Sequence, residues 1–227
     1  MQFFQEFFQD WGNFLAAFAC FFLSHHIPVQ PAIKSRIVAK IGAGGFALAY
    51  SALSIAILTW IIVAAGRAPY IEFWGWVPWL NYAPLTGMFV AIIIISMAFG
   101  QPNPLSFGGW NHDRFEPDNC GIIGWTRHPL LLALFIWAAA HMIPNGNLAH
   151  IIVFGLFGGF ALMGRKIIDK RFKRILGQEQ WQRLANTKRE IRITRRGITR
   201  IAIGVLIYLA VLYSHEWFIG VTPFIWD

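Results

Sequence analysis

The sequence predicts an all-α membrane protein, a polytopic bundle of about six transmembrane helices. Hydrophobic residues make up 56% of the 227 residues, charged residues only 13%, and the mean hydropathy is +0.51. The sequence contains six nearly uncharged runs whose lengths are close to the roughly 20 residues that cross the hydrocarbon of a bilayer. Because backbone polar groups in lipid must be bonded within their own segment, helices are favoured over an open sheet. The six runs are residues 11–31, 41–66, 77–100, 129–146, 149–163 and 198–213.

The basic residues are distributed unevenly over the loops that this arrangement predicts. The first, third and fifth loops hold all of the 19 Lys and Arg residues except Arg67. The positive-inside rule places these three loops in the cytosol, so both termini are predicted on the non-cytosolic side. No composition break divides the chain, and residues 1–227 are predicted to form a single domain.

The fifth run continues into a strongly basic segment, residues 165–200, which is predicted to be cytosolic and amphipathic. Its apolar residues recur at helical spacing at Ile168, Phe172, Ile175 and Leu176. We therefore expect the fifth helix to run past the membrane and to stop at Gly177. Two interpretations are open: a helix on the inner leaflet bound to anionic lipids, or a lid over a substrate or cofactor. Basic charge beside membrane spans favours the lipid bilayer over nucleic acid as the partner.

The long Gly/Pro-rich loop 103–129 leads into the fourth predicted helix. Its length is typical of functional or disordered loops, and we interpret His112 as a solvated loop residue. Pro129 prefers the first turn of a helix, so Arg127 and His128 are predicted to form the helix entry at the cytosolic surface. Exposed amide hydrogens at such an entry favour an anion or an anionic substrate. The alternative is a capped, positively charged helix end without a ligand.

Two histidines, His25 and His141, follow long apolar runs and are candidates for an intramembrane site. A polar side chain in lipid is costly unless it has a partner. His141 cannot share a metal ion with His128, because the helix between them rises by about 20 Å and turns by about 220°. The three alanines before His141 allow either a flat macrocycle or a neighbouring helix to approach. Neutral imidazole is a common axial ligand of haem iron, but a hydrogen bond between helices is equally open at this point.

Five motifs in order resemble the NnrU family of bacterial inner-membrane proteins. They are SHHIPVQP (24–31), YSALSIAILTW (50–60), NPLSFGG (103–109), GWTRHPLLLALFIWAAAHMIPNG (124–146) and DKR (169–171). The resemblance implies a multi-pass protein of the bacterial inner membrane that is linked to denitrification and nitric oxide metabolism. It does not imply a particular molecular activity.

The same pattern is similar to the 15-cis-zeta-carotene isomerase of plants and cyanobacteria, which holds b-type haem with two histidines. The resemblance implies haem b in this chain, with His25 and His141 as the metal ligands. His26 is a secondary candidate, because it stands where the family usually has serine. For His25 to reach the depth of His141, the first helix would have to continue to about Pro31.

A weaker likeness links Arg127-His128-Pro129 and the later Asp169, Gly177 and Trp181 to integral-membrane methyltransferases of the isoprenylcysteine type. It implies a distant common fold and, as a less favoured function, methyl transfer from S-adenosylmethionine.

The sequence is therefore consistent with three functions. The first is a haem protein of nitrogen-oxide metabolism or of redox-dependent isomerisation, which as an enzyme would be an isomerase or an oxidoreductase. The second is a membrane assembly, sensor or maturation factor without haem. The third is the methyltransferase. The sequence leaves the substrate, the catalytic residues and association into a homo-oligomer open.

Overall fold

The computed structural model describes residues 2–190 and 192–224, and for residues 2–10 it describes the backbone only. These ranges contain helices joined by turns and short 3-10 segments, and their only β-type pairing is a single bridge between Glu72 and Asn147. The all-α prediction is confirmed. The helices are α1 (Gln2–His26), α2 (Pro31–Arg67), α3 (Tyr82–Ala98), α4 (Ile122–Trp125), α5 (Pro129–Met142), α6 (Leu148–Leu176), α7 (Gln178–Ala185) and α8 (Arg195–Ile219).

Four helical segments are long and apolar enough to cross a membrane. They are α2, α3 together with the 3-10 turn before it (Pro78–Ala98), α6 and α8. In the most apolar stretch of α8 only 6% of the residues are buried, so its apolar side chains face outwards. Outward-facing apolar side chains over this length are stable in lipid but not in water. The predicted membrane character is confirmed.

The predicted number of six spans is not confirmed. The fourth predicted span corresponds to α5, which has only 14 residues and a length of about 21 Å. This is shorter than the roughly 30 Å of bilayer hydrocarbon. Ile143 still has helical φ and ψ of −60° and −51°, but the next residue, Pro144, has no amide hydrogen with which to continue the helical hydrogen bonds, so the helix ends at Met142.

The first helix ends at His26. It therefore does not continue to about Pro31, the length at which His25 was expected to reach the depth of His141. The amide of Ile27 still bonds to the carbonyl of Leu23 at 2.8 Å, which closes the last turn. The next residue, Pro28, has no amide hydrogen and disfavours helical geometry at Ile27.

The predicted first loop is also wrong, because the basic residues assigned to it belong to a helix. Lys34, Arg36 and Lys40 lie in α2, which begins with Pro31 in its first turn. The helix changes direction at Gly42, whose φ of 74° and ψ of 166° are not helical. Glycine adopts such a φ without the steric cost that a side chain would bring.

The predicted extension of the fifth run is confirmed. Helix α6 continues through the basic residues to Leu176, and Gly177 follows with a φ of 81°. A glycine with positive φ is the usual way to end a helix. The described residues between α7 and Thr194, 186–190 and 192–193, are not helical. The side-chain oxygen of Thr194 accepts the amide of Gly197 at 3.0 Å and caps α8.

The helices belong to two compact units. The amino-terminal unit comprises Met1–Phe73 and Asn147–Val153, and the carboxyl-terminal unit comprises Trp74–Gly146 and Phe154–Asp227. In the amino-terminal unit α1 packs against α2, and the indole Nε1 of Trp60 donates to Asn13 Oδ1 at 2.9 Å. In the carboxyl-terminal unit α3 packs against both α5 and α8.

Close approach of α3 to its two neighbours depends on small side chains and one arginine. A Cβ atom added to Gly87 of α3 would lie 2.5 Å from the Cβ of Ala140 of α5. The guanidinium of Arg200 of α8 donates to the carbonyls of Ser96, Met97 and Phe99 at 3.0, 3.3 and 2.7 Å. Small residues between membrane helices and satisfied terminal carbonyls both stabilise such a contact.

Replacing Gly87 with alanine is expected to lower the free energy of unfolding by about 1–3 kcal/mol, the usual cost of overpacking. The added methyl group would clash with Ala140. Thermal unfolding in detergent, followed by tryptophan fluorescence, measures the effect. The matched control is Gly159→Ala in α6, where an added Cβ has no heavy atom within 4 Å. Equal Tm values for the two variants would contradict this helix contact.

Candidate functional site

The entry of α5 has the predicted geometry. His128 precedes the helix with φ −121° and ψ 66°, Pro129 occupies the first turn, and the amide of Leu132 bonds to the His128 carbonyl at 3.0 Å. The restricted conformation before proline keeps His128 out of the helix. Its side chain can therefore turn inwards, and only 3% of His128 is exposed.

A buried chain of hydrogen bonds joins this entry to α6. His128 Nδ1 lies 3.0 Å from the hydroxyl of Ser106, and its Nε2 lies 3.1 Å from Oδ1 of Asp169. The guanidinium of Arg127 donates to Oδ2 of the same carboxylate at 2.8 Å. Asp169 thus holds both residues of the predicted entry motif, which are more than 40 positions away in the sequence.

These partners define the protonation state of His128. A carboxylate paired with arginine only accepts hydrogen bonds, so Nε2 carries the hydrogen and Nδ1 accepts from Ser106. Burial holds the pKa of His128 below its ordinary value; Asp169 opposes this shift, while the charges of Arg127 and Arg165 add to it. The histidine is therefore neutral at pH 7, and its ring has no unused proton to offer a ligand.

Asn103 fixes the loop on the other side of the entry. Its side-chain amide donates to the Arg127 carbonyl at 2.9 Å, and only 2% of the residue is exposed. The backbone amide of Asn103 donates to Nδ1 of His112 at 3.2 Å. His112 is exposed, as predicted for a loop residue, but its ring also holds the loop in place.

The indole of Trp181 in α7 packs against two cations. Arg127 lies 4.7 Å and Lys173 4.1 Å from the centre of a Trp181 ring. Such cation–π contacts contribute about 0.5–1 kcal/mol each at partly exposed sites. In the part of the chain that the structure describes, the buried Nε1–H of Trp181 has no acceptor. Of the six residues named for the methyltransferase likeness, Arg127 contacts Trp181 here and pairs with Asp169, whereas Gly177 ends α6.

A polar cavity of about 310 Å³ opens beside the α5 entry. Its ionisable wall residues are Arg127, His128, Arg165, Asp169 and Arg189. The predicted pair Arg127 and His128 lines this cavity, and each of the two residues is already hydrogen-bonded to Asp169. Sequence reasoning missed Arg165 and Arg189, which were part of a long basic segment with no feature that distinguished them from their neighbours.

The order Ser106–His128–Asp169 resembles the hydrogen-bond chain of a serine nucleophile, but it is not arranged for attack. Ser106 is buried and does not line the cavity. The carboxylate is also neutralised by Arg127, which weakens its support of a protonated imidazole. The chain therefore positions helices rather than activating a nucleophile.

His25 and His141, each in its own unit, have the same local geometry. Nδ1 of His25 lies 2.9 Å from the carbonyl of Phe21, and Nδ1 of His141 lies 2.9 Å from the carbonyl of Trp137. A carbonyl only accepts, so Nδ1 carries a hydrogen in both rings, and in a neutral imidazole of this tautomer Nε2 has the lone pair that can bind a metal. Hydrogen bonding of the second nitrogen to a backbone carbonyl is typical of metal-binding histidines.

His215 of α8 shares this geometry and was not singled out from the sequence. Its Nδ1 lies 2.8 Å from the carbonyl of Val221. His25 and His141 bond to the carbonyl four residues earlier in the same helix, whereas His215 bonds to a residue in the turn after its helix. The helical periodicity of the sequence does not predict this second kind of contact.

No three side chains of His, Cys, Asp or Glu come together as a metal site among the described residues. A protein-only metal site usually needs three or four ligands, but haem iron needs only axial ligands from the protein.

The long apolar helices define a multi-pass helical membrane protein. The chain belongs to the NnrU family, because the family model described as "NnrU protein" matches residues 13–223. It is also 24% identical over 147 residues to a protein named NAD(P)H-quinone oxidoreductase subunit 2 from Nostoc punctiforme (strain ATCC 29133 / PCC 73102). That match covers 63% of this chain but only 28% of the relative. No solved structure matches the chain.

Replacing Asp169 with asparagine is expected to lower the free energy of unfolding by about 1–3 kcal/mol, because asparagine keeps only one acceptor oxygen and turns an NH2 donor towards Arg127 or His128. Unfolding in detergent measures the change. Asp118→Asn is the matched control, since its ion pair with Lys188 is long, 3.9 Å, and exposed. A loss in Asp118→Asn as large as that in Asp169→Asn would contradict the central role of Asp169.

Acidification is expected to destabilise the wild-type protein more than His128→Gln. Since burial depresses the folded-state pKa of His128, the unfolded chain binds the proton more readily. This contribution to stability is complete above the unfolded pKa of about 6.5 and is lost as the pH falls through it towards the folded pKa. Tm values at about pH 7.5 and about pH 5.5 measure the difference. The same decrease in both proteins would rule out His128 as the titrating group.

Proposed function

We propose that the protein is a membrane haem protein that binds haem b through His25 and His141. The observation that carries the proposal is the shared geometry of the two rings, in which Nδ1 is bound to a backbone carbonyl and Nε2 is left as the coordinating atom. The function we assign is redox chemistry in nitrogen-oxide metabolism, the process linked to the NnrU family, or a redox-dependent isomerisation.

Both histidines fit an axial ligand. Hydrogen bonding at Nδ1 fixes the ring orientation and makes Nε2 more basic, which strengthens a bond to iron. The ring of His25 also lies 4.1 Å from that of Phe21 and 5.9 Å from that of Tyr50. When bound, haem would supply one-electron redox chemistry at its iron. His26, next in the chain, remains the secondary candidate.

The surroundings of His141 support the proposal. Its ring lies 5.6 Å from the rings of both Trp137 and Phe154. Beside the same end of α5 is an apolar cavity of about 410 Å³, whose wall includes Ala139 and three glycines of α6. The glycines are Gly155, Gly158 and Gly159. Small side chains allow a flat, apolar group to approach the helix backbone.

The proposal no longer depends on a long first helix. The comparison of the depths of His25 and His141 required a helix to about Pro31, and α1 ends at His26. The proposal rests instead on the local geometry of each histidine ring.

We infer a location in the bacterial inner membrane, with the basic end of α6 and the start of α8 in the cytosol. The end of α3 leads into the loop that holds Arg114 and Arg127, and α6 ends in basic residues. If both ends lie on the cytosolic side, the chain between α3 and α6 crosses the membrane once, and α5 is the apolar helix in that stretch. Its short length fits a locally thinned bilayer or flanking turns that complete the crossing. Both termini then lie on the non-cytosolic side, and anionic lipids of the inner leaflet contact the basic segment.

The other functions have less support. The oxidoreductase relative shares 28% of its length with this chain, so its activity is not a basis for the assignment. Methyl transfer is disfavoured because three arginines beside one carboxylate repel a sulfonium ion. An assembly or sensor factor without haem is the remaining alternative, and in that case His25 and His141 would contribute only to stability. Self-association into a homo-oligomer is compatible with each function.

An absorption spectrum tests the proposal. The protein, expressed with added haem precursor and purified in detergent, is expected to show a Soret band that shifts on reduction. His25→Ala and His141→Ala should each abolish or shift the band, because one axial ligand is lost, while far-UV circular dichroism shows that the helices remain.

His26→Ala and His215→Ala are the matched controls and should keep the wild-type spectrum. A wild-type protein without a Soret band under these conditions would overturn haem binding. Loss of the band in His215→Ala, with retention in His25→Ala, would instead overturn the assignment of the ligand pair.

A further inference from the structure

The cavity beside the α5 entry carries more positive charge than its own walls neutralise. Three guanidinium groups line it, and Asp169 is the one carboxylate among its lining residues. Asp169 pairs with Arg127. The guanidinium groups of Arg165 and Arg189 have no hydrogen bond or ion pair with any described residue. We propose that this cavity binds the phosphate group of a small phosphoester, with Arg165 and Arg189 as its ligands.

The two arginines come from separate parts of the chain. Arg165 lies in α6, and Arg189 lies in the non-helical segment after α7. Gly124 fixes this segment, because a Cβ at that position would clash with the backbone carbonyl of Lys188. The amide of Lys188 also donates to the carbonyl of Pro117 at 3.0 Å. The fold therefore holds two like charges at one cavity, and an anion between them would remove their repulsion.

The polar groups beside Arg165, namely His128 and Asp169, do not offer it an unpaired negative charge. His128 is neutral, and both of its ring nitrogens are bonded to Ser106 and Asp169. The second oxygen of Asp169 is bonded to Arg127. Arg165 acts electrostatically on His128, which places its charge near the end of this hydrogen-bond chain. Arg165 and Arg189 are both exposed to solvent at this cavity, and no described group of the protein competes with a ligand anion for them.

The size and polarity of the cavity favour a phosphoester over a bare ion. Its volume of about 310 Å³ corresponds to roughly ten water molecules, more than one phosphate group fills. Thr126, Asn186 and Thr187 also line it and can bond hydroxyl groups of a substituent. Arginine presents a planar fork of donors that matches phosphate oxygens. Glycerol phosphate combines these features and occurs both as a soluble ester and as a lipid headgroup.

Calorimetry with the full chain tests the proposal independently of haem. Glycerol 3-phosphate is titrated into the protein in uncharged detergent, with glycerol as the neutral counterpart. In a second arm, Tm is compared in bilayers of phosphatidylglycerol and of phosphatidylcholine. We expect saturable binding of glycerol 3-phosphate, stabilisation by phosphatidylglycerol, or both, and no effect of glycerol. Binding in detergent identifies a soluble ester as a source, whereas an effect confined to phosphatidylglycerol bilayers identifies the lipid headgroup.

Arg165→Gln and Arg189→Gln are each expected to raise Kd at least about tenfold, the usual cost of a lost hydrogen bond to a charged group. In the bilayer arm, both should remove the difference in Tm. Lys166→Gln is the matched control, because it removes the same charge from the residue next to Arg165 but does not line the cavity.

Three results would overturn the proposal. The first is no effect in either arm. The second is an equal loss in Lys166→Gln, which would reduce the effect to general attraction between charges. The third is tighter binding of S-adenosylmethionine than of glycerol 3-phosphate, which would assign the cavity to a cationic ligand.

Discussion

Asp169 accepts hydrogen bonds from both residues that open α5, and the arrangement of the site follows from this pairing. The carboxylate can reach them only because α6 continues beyond its apolar part for several turns. The pairing sets the tautomer of His128 and orients Arg127 towards Trp181. It also neutralises one of three arginines and leaves the other two to determine the electrostatic character of the cavity. A structural ion pair and a candidate binding site thus share one carboxylate.

Two principles acting over short distances made much of the fold predictable. Apolar run length identified α2, α3, α6 and α8, and proline and glycine marked the start of α5 and the end of α6. The same rules were misapplied between α1 and α2. The first apolar run, residues 11–31, suggested a helix that continues to about Pro31, yet two prolines three positions apart outweigh it, because proline restricts the residue before it. Local steric constraint prevailed over hydrophobicity.

The candidate site was predictable only in part, for a different physical reason. Arg127 and His128 were identifiable because they adjoin a helix start, a feature visible within four residues. Arg165 and Arg189 reach the cavity through contacts between distant segments, including the close approach of Gly124 to Lys188. Such an approach leaves no periodic signal, since it depends on the absence of one side chain. The ring geometry of His25 and His141 is local, but it concerns the rotamer, which sequence spacing does not specify.

Helix α6 also places the two candidate sites on one continuous element. Phe154, whose ring faces His141, and Asp169, at the polar cavity, are separated by fifteen residues of unbroken helix, a rise of about 22 Å. A helix of this length tilts as a stiff rod, so a movement of a few degrees at one end displaces the other. A tilt of α6 as one rigid element would therefore move both Phe154 beside His141 and Asp169 at the polar cavity.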